Sequence, residues 1–122
     1  MDPYELGILG ERIAEKWMVR HGWAAIGHRF QNGHRDIDLV MIRGSTVAFV
    51  EVKTRTDAQF GDPISAVGYY KLRNLRRSMW VWIDRFGHSS WEYRIDVVSV
   101  LILSKHVKIR HVVNAYVFNG IG

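Results

Sequence analysis

The richest chemistry in this chain lies between Asp36 and Lys53. The segment reads Asp36-Ile37-Asp38-Leu39-Val40-Met41-Ile42, then Arg43-Gly44-Ser45-Thr46, then Val47-Ala48-Phe49-Val50-Glu51-Val52-Lys53. Two apolar, β-branched runs around a short Gly-Ser turn predict a β-hairpin. With Gly44-Ser45 as the two-residue loop, Arg43 faces Thr46. That register puts Asp38 opposite Glu51 and Asp36 opposite Lys53. Strand side chains alternate, so Asp36, Asp38, Glu51 and Lys53 are expected on one face, with Val40 and Phe49 further along it.

Opposed carboxylates on a sheet repel each other. A hard divalent cation, Mg²⁺ or Mn²⁺, relieves that repulsion, because such ions take one or two carboxylates and keep several waters. The remaining positions are open to phosphate oxygens and an attacking water. Lys53 would point at the same place, where it can orient or deprotonate the water or stabilise charge on the phosphate. The alternative for these residues is an exposed charged strip on a solvated sheet face. The apolar residues that continue the strip favour a partly covered face instead. Two helical residues are candidates for the same place. Lys71 lies between Val67 and Leu75 at i+4 steps on an apolar helix face, where it either snorkels to the edge or reaches the carboxylates or a phosphate. Glu11 borders the apolar stripe of the first helix and is otherwise a solvated surface acid.

These residues need elements to hold them. Leu6, Leu9, Ile13 and Trp17 recur at helical spacing, widened by Ala14 and Met18, and predict a helix over 4–20 that ends at His21-Gly22. Strands are expected over 23–30, 36–42 and 47–53. A polar loop over 54–62 leads to a second helix over 64–85, with Ile64, Val67, Leu75, Met79, Trp82 and Phe86 on its apolar face. Pro3 and Pro63 each stand at a helix start. Strands over 91–103 and 107–113 complete the order α-β-β-β-α-β-β. The natural packing is an α/β domain, a central mixed sheet of about five strands flanked by two main helices.

The chain has 122 residues, the length of one domain, 1–122. It has no cysteine, which excludes disulfide scaffolds, thiolate metal sites and thiol catalysis. Its six histidines form no closely spaced metal-ligand pair, and only His34 lies near the carboxylates in sequence. No apolar run is long enough to span a bilayer, and the acidic start Met1-Asp2-Pro3-Tyr4-Glu5 is no signal peptide, so a cytoplasmic protein is expected. The net charge of +5 leans toward a polyanionic partner. From Pro63 to Ile83 there is no acid, while Lys71, Arg73, Arg76 and Arg77 cluster. The three arginines turn away from the apolar stripe, as a phosphate-tracking or merely solubilising face. Tyr69, Tyr70, Trp80 and Trp91 are expected mostly in the core.

The ordered motifs resemble the YraN-like family of small bacterial proteins, grouped with the restriction-endonuclease-like, PD-(D/E)xK nuclease fold. The resemblance runs through Gly10-Glu11 with Ala14, Ile37-Asp38-Leu39-Val40 and Phe49-Val50-Glu51-Val52-Lys53-Thr54-Arg55. It continues through Phe60-Gly61-Asp62-Pro63, Ala66-Val67 with Lys71, Arg94-Ile95-Asp96-Val97-Val98, and His111 with Asn114-Ala115-Tyr116. Arg35-Asp36 stands where the family commonly has Gly-Glu, and Arg29 and Gln31 replace a common Asn and Arg.

The resemblance implies a restriction-endonuclease-like fold with Asp38, Glu51 and Lys53 as nuclease core. Mg²⁺ or Mn²⁺ would be held by Asp38, Glu51, the Val52 carbonyl and Glu11. DNA would be tracked by Lys71, Arg73, Arg76, Arg77 and Arg55, in a monomer or homodimer. The expected function is a metal-dependent endonuclease on DNA, possible substrates being branched or repair and recombination intermediates. The alternative is a non-catalytic nucleic-acid-binding module that assists a DNA-processing partner. A carboxylate-pair glycosidase fits less well, because directly opposed strand carboxylates sit closer than the ~5 Å of retaining enzymes.

Overall fold

The computed structural model describes residues 1–33, 35–56 and 69–115, with backbone only at Arg35, Tyr69 and Tyr70. These residues form α1 (Pro3–Arg20), β1 (Ala24–Asn32), β2 (Arg35–Arg43), β3 (Thr46–Arg55), α2 (Tyr69–Phe86), β4 (Glu92–Ile102) and β5 (Val107–Val112). The element order is the expected α-β-β-β-α-β-β. The strands lie in the order β1-β2-β3-β4-β5 in one mixed sheet. All neighbours are antiparallel except β3 and β4, whose parallel pairing runs from Thr46↔Glu92 to Arg55↔Leu101.

Local chemistry sets the ends of α1. The Asp2 carboxylate accepts the Glu5 N–H at 2.8 Å and Pro3 opens the helix. At the other end the His21 N–H closes back on the Met18 carbonyl, and Gly22 takes the left-handed conformation with φ 92°. The helix buries Gly10, Ala14 and Met18, so its buried line is rotated from the expected Leu6, Leu9, Ile13 and Trp17. Gly10 explains the rotation. A Cβ there would lie 1.7 Å from Thr54 Oγ1, so the missing side chain lets α1 seat directly on β3.

Each helix covers one face of the sheet. Ala14 and Met18 pack with Leu39, Met41, Val50 and Val98 on the α1 face. Leu72, Leu75, Met79 and Trp82 pack with Val40, Phe49, Ile95 and Val97 on the α2 face. The fully buried Phe49 meets Trp82 edge-on at 5.4 Å. Cutting it back to alanine would cost about 3–5 kcal/mol.

Several expectations on α2 and β3 need correction. The expected helix start at Ile64, with Pro63 and Val67, lies outside the described residues. Phe86 is half exposed rather than on the buried stripe, and Leu72 contributes to the core instead. Trp80, expected in the core, is exposed because it lies on the solvent side of α2. Thr54 and Arg55 belong to β3 rather than to a loop, because parallel pairing with β4 continues through them. No described helix is long and apolar enough to cross a membrane.

Candidate active site

The hairpin register is the expected one. It starts at Arg43↔Thr46, with Gly44 at φ 62° in the turn, and runs to Leu39↔Val50. The ladder then stops. The Val52 N–H is taken at 2.8 Å by Asp38 Oδ2, a side chain standing in for a backbone acceptor of β2. Strict alternation also slips at this point. Ile37 shares the α2 face with Val40, while Leu39 faces α1. The expected ladder pairs Asp38–Glu51 and Asp36–Lys53 therefore do not form. Asp36 pairs with Gln31 of β1, and Lys53 with Ser99 of β4. Asp38 and Glu51 still meet, through side chains, where β2 and β3 cease to pair.

Burial decides the electrostatics of this pair. Glu51 is 4% exposed. Its Oε1 lies 3.7 Å from Lys71 Nζ, and its Oε2 is buried without a hydrogen-bond partner. Burial, reinforced by the Asp38 charge, pushes the Glu51 carboxyl up to about 8, and Lys71 only partly opposes this. Burial also raises Asp38, against the pull of the Val52 N–H and of Lys71. At neutral pH the pair thus retains a proton. An orphaned carboxylate oxygen beside a second carboxylate is a hard oxygen donor set that suits Mg²⁺ or Mn²⁺. Among the described residues no three His, Asp or Glu side chains gather as a metal cluster. Two carboxylates with water and backbone oxygen still fit the habit of Mg²⁺.

Glu11 stands beside this pair but is engaged elsewhere. Arg29 grips both of its oxygens, Nη2 at 2.8 Å and Nε at 3.1 Å. Burial raises the Glu11 carboxyl, the Arg29 hydrogen bond lowers it, and the Asp38 charge raises it further. Lys53 is half-buried two residues beyond Glu51, and its charge favours the ionised form of Glu51. Arg55 is the last residue of β3. Arg73, Arg76 and Arg77 are exposed on α2. The structure thus brings together Asp38, Glu51, Val52, Lys53 and Lys71, places Glu11 next to them, and leaves the three arginines on the outer helix face. His34 lies outside the described residues.

Arg29 was not among the expected site residues. It adopts φ 46°, a left-handed conformation that a non-glycine side chain rarely takes. At His28–Arg29 the alternating exposure of β1 breaks, and two successive side chains are exposed. His28 pairs with Glu15 and Arg29 with Glu11, so both reach α1. The sequence offers no sign of this, since alternation alone sends neighbouring side chains to opposite faces.

A second carboxylate, Asp96, appeared only within a family motif. It is fully buried on the α1 side of β4. Arg94 Nε and Nη2 donate to it, each at 3.1 Å to one of its oxygens, His111 Nε2 lies 2.7 Å from Oδ2, and the Asn114 N–H reaches Oδ1 at 2.9 Å. Asn114 has φ 56°, so this carboxylate fastens a sharp turn that follows β5.

The model of "Uncharacterised protein family UPF0102" matches residues 10–100. A UPF0102 protein of Alkaliphilus oremlandii is 33% identical over 114 residues, covering 92% of this chain and 97% of its own. One from Alkaliphilus metalliredigens is 36% identical over 111 residues, covering 91% and 96%. One from Beutenbergia cavernae is 40% identical over 96 residues, covering 79% and 81%.

Proposed function

We propose that this chain, which belongs to the UPF0102 family, is a metal-dependent phosphodiesterase that acts on DNA through a restriction-endonuclease-like core. One observation carries the reading. Half-buried Asp38 meets buried Glu51, whose Oε2 is left without a partner, at the point where β2 and β3 part. Folding gains little from that arrangement alone, because burying a carboxylate whose nearest cation, Lys71, lies 3.7 Å away is costly.

Asp38, Glu51 and the Val52 carbonyl would hold Mg²⁺ or Mn²⁺. When bound, the ion supplies positive charge to a phosphate oxygen and acidifies water. The chain's own residues do the rest. The Val52 N–H fixes the rotamer of Asp38. Lys71 holds Glu51 from α2. Lys53 orients the attacking water and offsets charge that builds on the phosphate. Arg73 and Arg77, exposed on α2, contribute sequence-independent attraction to the DNA backbone.

The second reading, a binding module without catalysis, is favoured by one feature, the basic face of α2, which needs neither carboxylate. A panel of linear and branched DNAs with Mn²⁺, comparing wild type with Asp38→Asn, separates the two. Cleavage by wild type that is lost in Asp38→Asn supports the nuclease. Binding that is indifferent to chelator, with no cleavage of any DNA form, sinks it.

A further inference from the structure

On the α2 face, edge strand β1 and the end of α2 leave a cleft of about 350 Å³ lined by Ile26, Gly27, Phe30, Trp82, Phe86 and Trp91. Its walls are rings. Trp82 and Trp91 stack with centroids 6.4 Å apart, Trp82 tilts against Phe86 at 5.4 Å, and Phe30 meets Phe86 edge-on at 6.4 Å. The cleft is open, since Phe86 is 52% and Ile26 41% exposed. Gly27 keeps its floor clear. A Cβ there would lie 3.2 Å from Val40 and 3.7 Å from the Trp82 Nε1 atom.

Charge and position narrow the occupant. The Arg85 guanidinium stands 5.8 Å from the Phe30 ring, and the His88 ring packs on Trp91 at 4.3 Å. Asp84 is the only acid in α2, against Lys71 and four arginines. Phe30 pairs with Ile37, the residue before Asp38, so one wall of the cleft lies on the strand pair that carries Asp38. An apolar peptide has no use for the Arg85 guanidinium at the rim. A polyanion that also carries flat heterocycles uses both the rim and the rings.

We propose that this cleft receives an unpaired nucleobase of the DNA substrate, stacked on the exposed ring of Phe86 while its phosphates lie toward Arg85. The inference rests on the nucleic-acid reading above and deepens it. Every base has a π-face, so stacking is indifferent to sequence. A base held within a duplex has no free face to offer. The substrate class is therefore DNA with an unpaired stretch.

The test is binding in chelator, followed by fluorescence anisotropy, using a labelled oligothymidine of roughly 20 nucleotides and a blunt duplex of equal length. Phe86 is exposed, so Phe86→Leu keeps an apolar side chain at little risk to folding. It should weaken single-strand binding by about tenfold, the scale of one lost base–aromatic stack. Duplex binding should change by less than about twofold on the same argument, and Phe86→Trp should bind single strands like wild type. Phe86→Leu binding single strands like wild type would overturn the proposal. So would an equal loss on the duplex. The nuclease reading fails separately. If Phe86→Leu loses single-strand affinity but wild type cleaves no DNA with Mn²⁺, the cleft stands and the nuclease does not. If Asp38-dependent cleavage is present while Phe86→Leu binds normally, the nuclease stands and the cleft does not.

Discussion

Asp96 on β4 and Glu51 on β3 lie one register step apart on adjacent parallel strands, since Val50 pairs with Asp96 and Glu51 with Val97. Both are buried, yet on opposite faces they are treated in opposite ways. Asp96 receives a guanidinium, an imidazole and a backbone N–H. Glu51 has one ammonium at 3.7 Å, a neighbouring carboxylate, and an oxygen without a partner. A saturated buried carboxylate works as a fastener, while an unsaturated one stays available to an external cation. Burial alone does not distinguish the two roles. The count of satisfied oxygen lone pairs does.

The comparison can be broken most forcefully at Asp96. Asp96→Asn removes the charge that Arg94 pairs with and should cost about 3–5 kcal/mol. That lowers the melting temperature by roughly 15 °C, with chelator or with Mn²⁺ alike. A variant that melts within a few degrees of wild type would show that the cluster is no fastener. At the other carboxylate, Lys53→Met should leave DNA binding near wild type while turnover falls about a hundredfold. Single-turnover cleavage at the wild-type rate would make Lys53 structural.

Asp38→Asn sharpens the contrast with a smaller effect. It removes a carboxylate charge that burial disfavours and keeps an oxygen for the Val52 N–H. In chelator it should therefore melt at or above wild type, the reverse of Asp96→Asn. With Mn²⁺ at about a hundred times its dissociation constant, wild type should gain roughly 2.7 kcal/mol, and the variant little. Clear destabilisation of Asp38→Asn in chelator, with neither protein shifted by Mn²⁺, would assign Asp38 to a structural contact. pH gives the smallest expected signal. The native Glu51 carboxyl is raised from 4.5 to about 8. Between those values the native state binds more protons than the unfolded chain, so this contribution to stability is fully present below about 4.5 and is lost as pH rises through about 8. Wild type should therefore lose melting temperature between about pH 5 and 8 more steeply than Asp38→Asn. Parallel pH profiles for the two proteins would remove the coupling between the carboxylates.

Much of this site was legible because it depends on local rules. The Gly44-Ser45 turn fixes the hairpin register, and i+4 spacing from Leu75 aims Lys71 at the sheet. What escaped depends on exceptions to those rules. Asp38 ends the ladder by substituting a side chain for a backbone acceptor, which no alternation pattern encodes. Gly10 looks like a weak helical position, yet it is the contact point of α1, because its value lies in what Thr54 can then approach. Arg29 depends on a left-handed backbone at a residue type that usually avoids it. The partners of Asp96 come in part from His111 and Asn114, brought near only by the β4–β5 pairing.

The parallel β3–β4 pair has a consequence for how the chain reaches its native state. The β2–β3 hairpin closes over a tight turn, an event of about 1–10 μs. Pairing Thr46 with Glu92 must wait for a long loop to close. In a hairpin formed before that closure, Asp38 and Glu51 would still be solvated, and solvated carboxylates are ionised at neutral pH. In the folded chain Glu51 is buried and Lys71 of α2 stands against it. Because burial raises the Glu51 carboxyl to about 8, folding near neutrality should take up a proton, which a dependence of the folding enthalpy on buffer ionisation would register. Burying Glu51 is thus expected to be a protonation, and any cation that binds the pair would have to displace that proton.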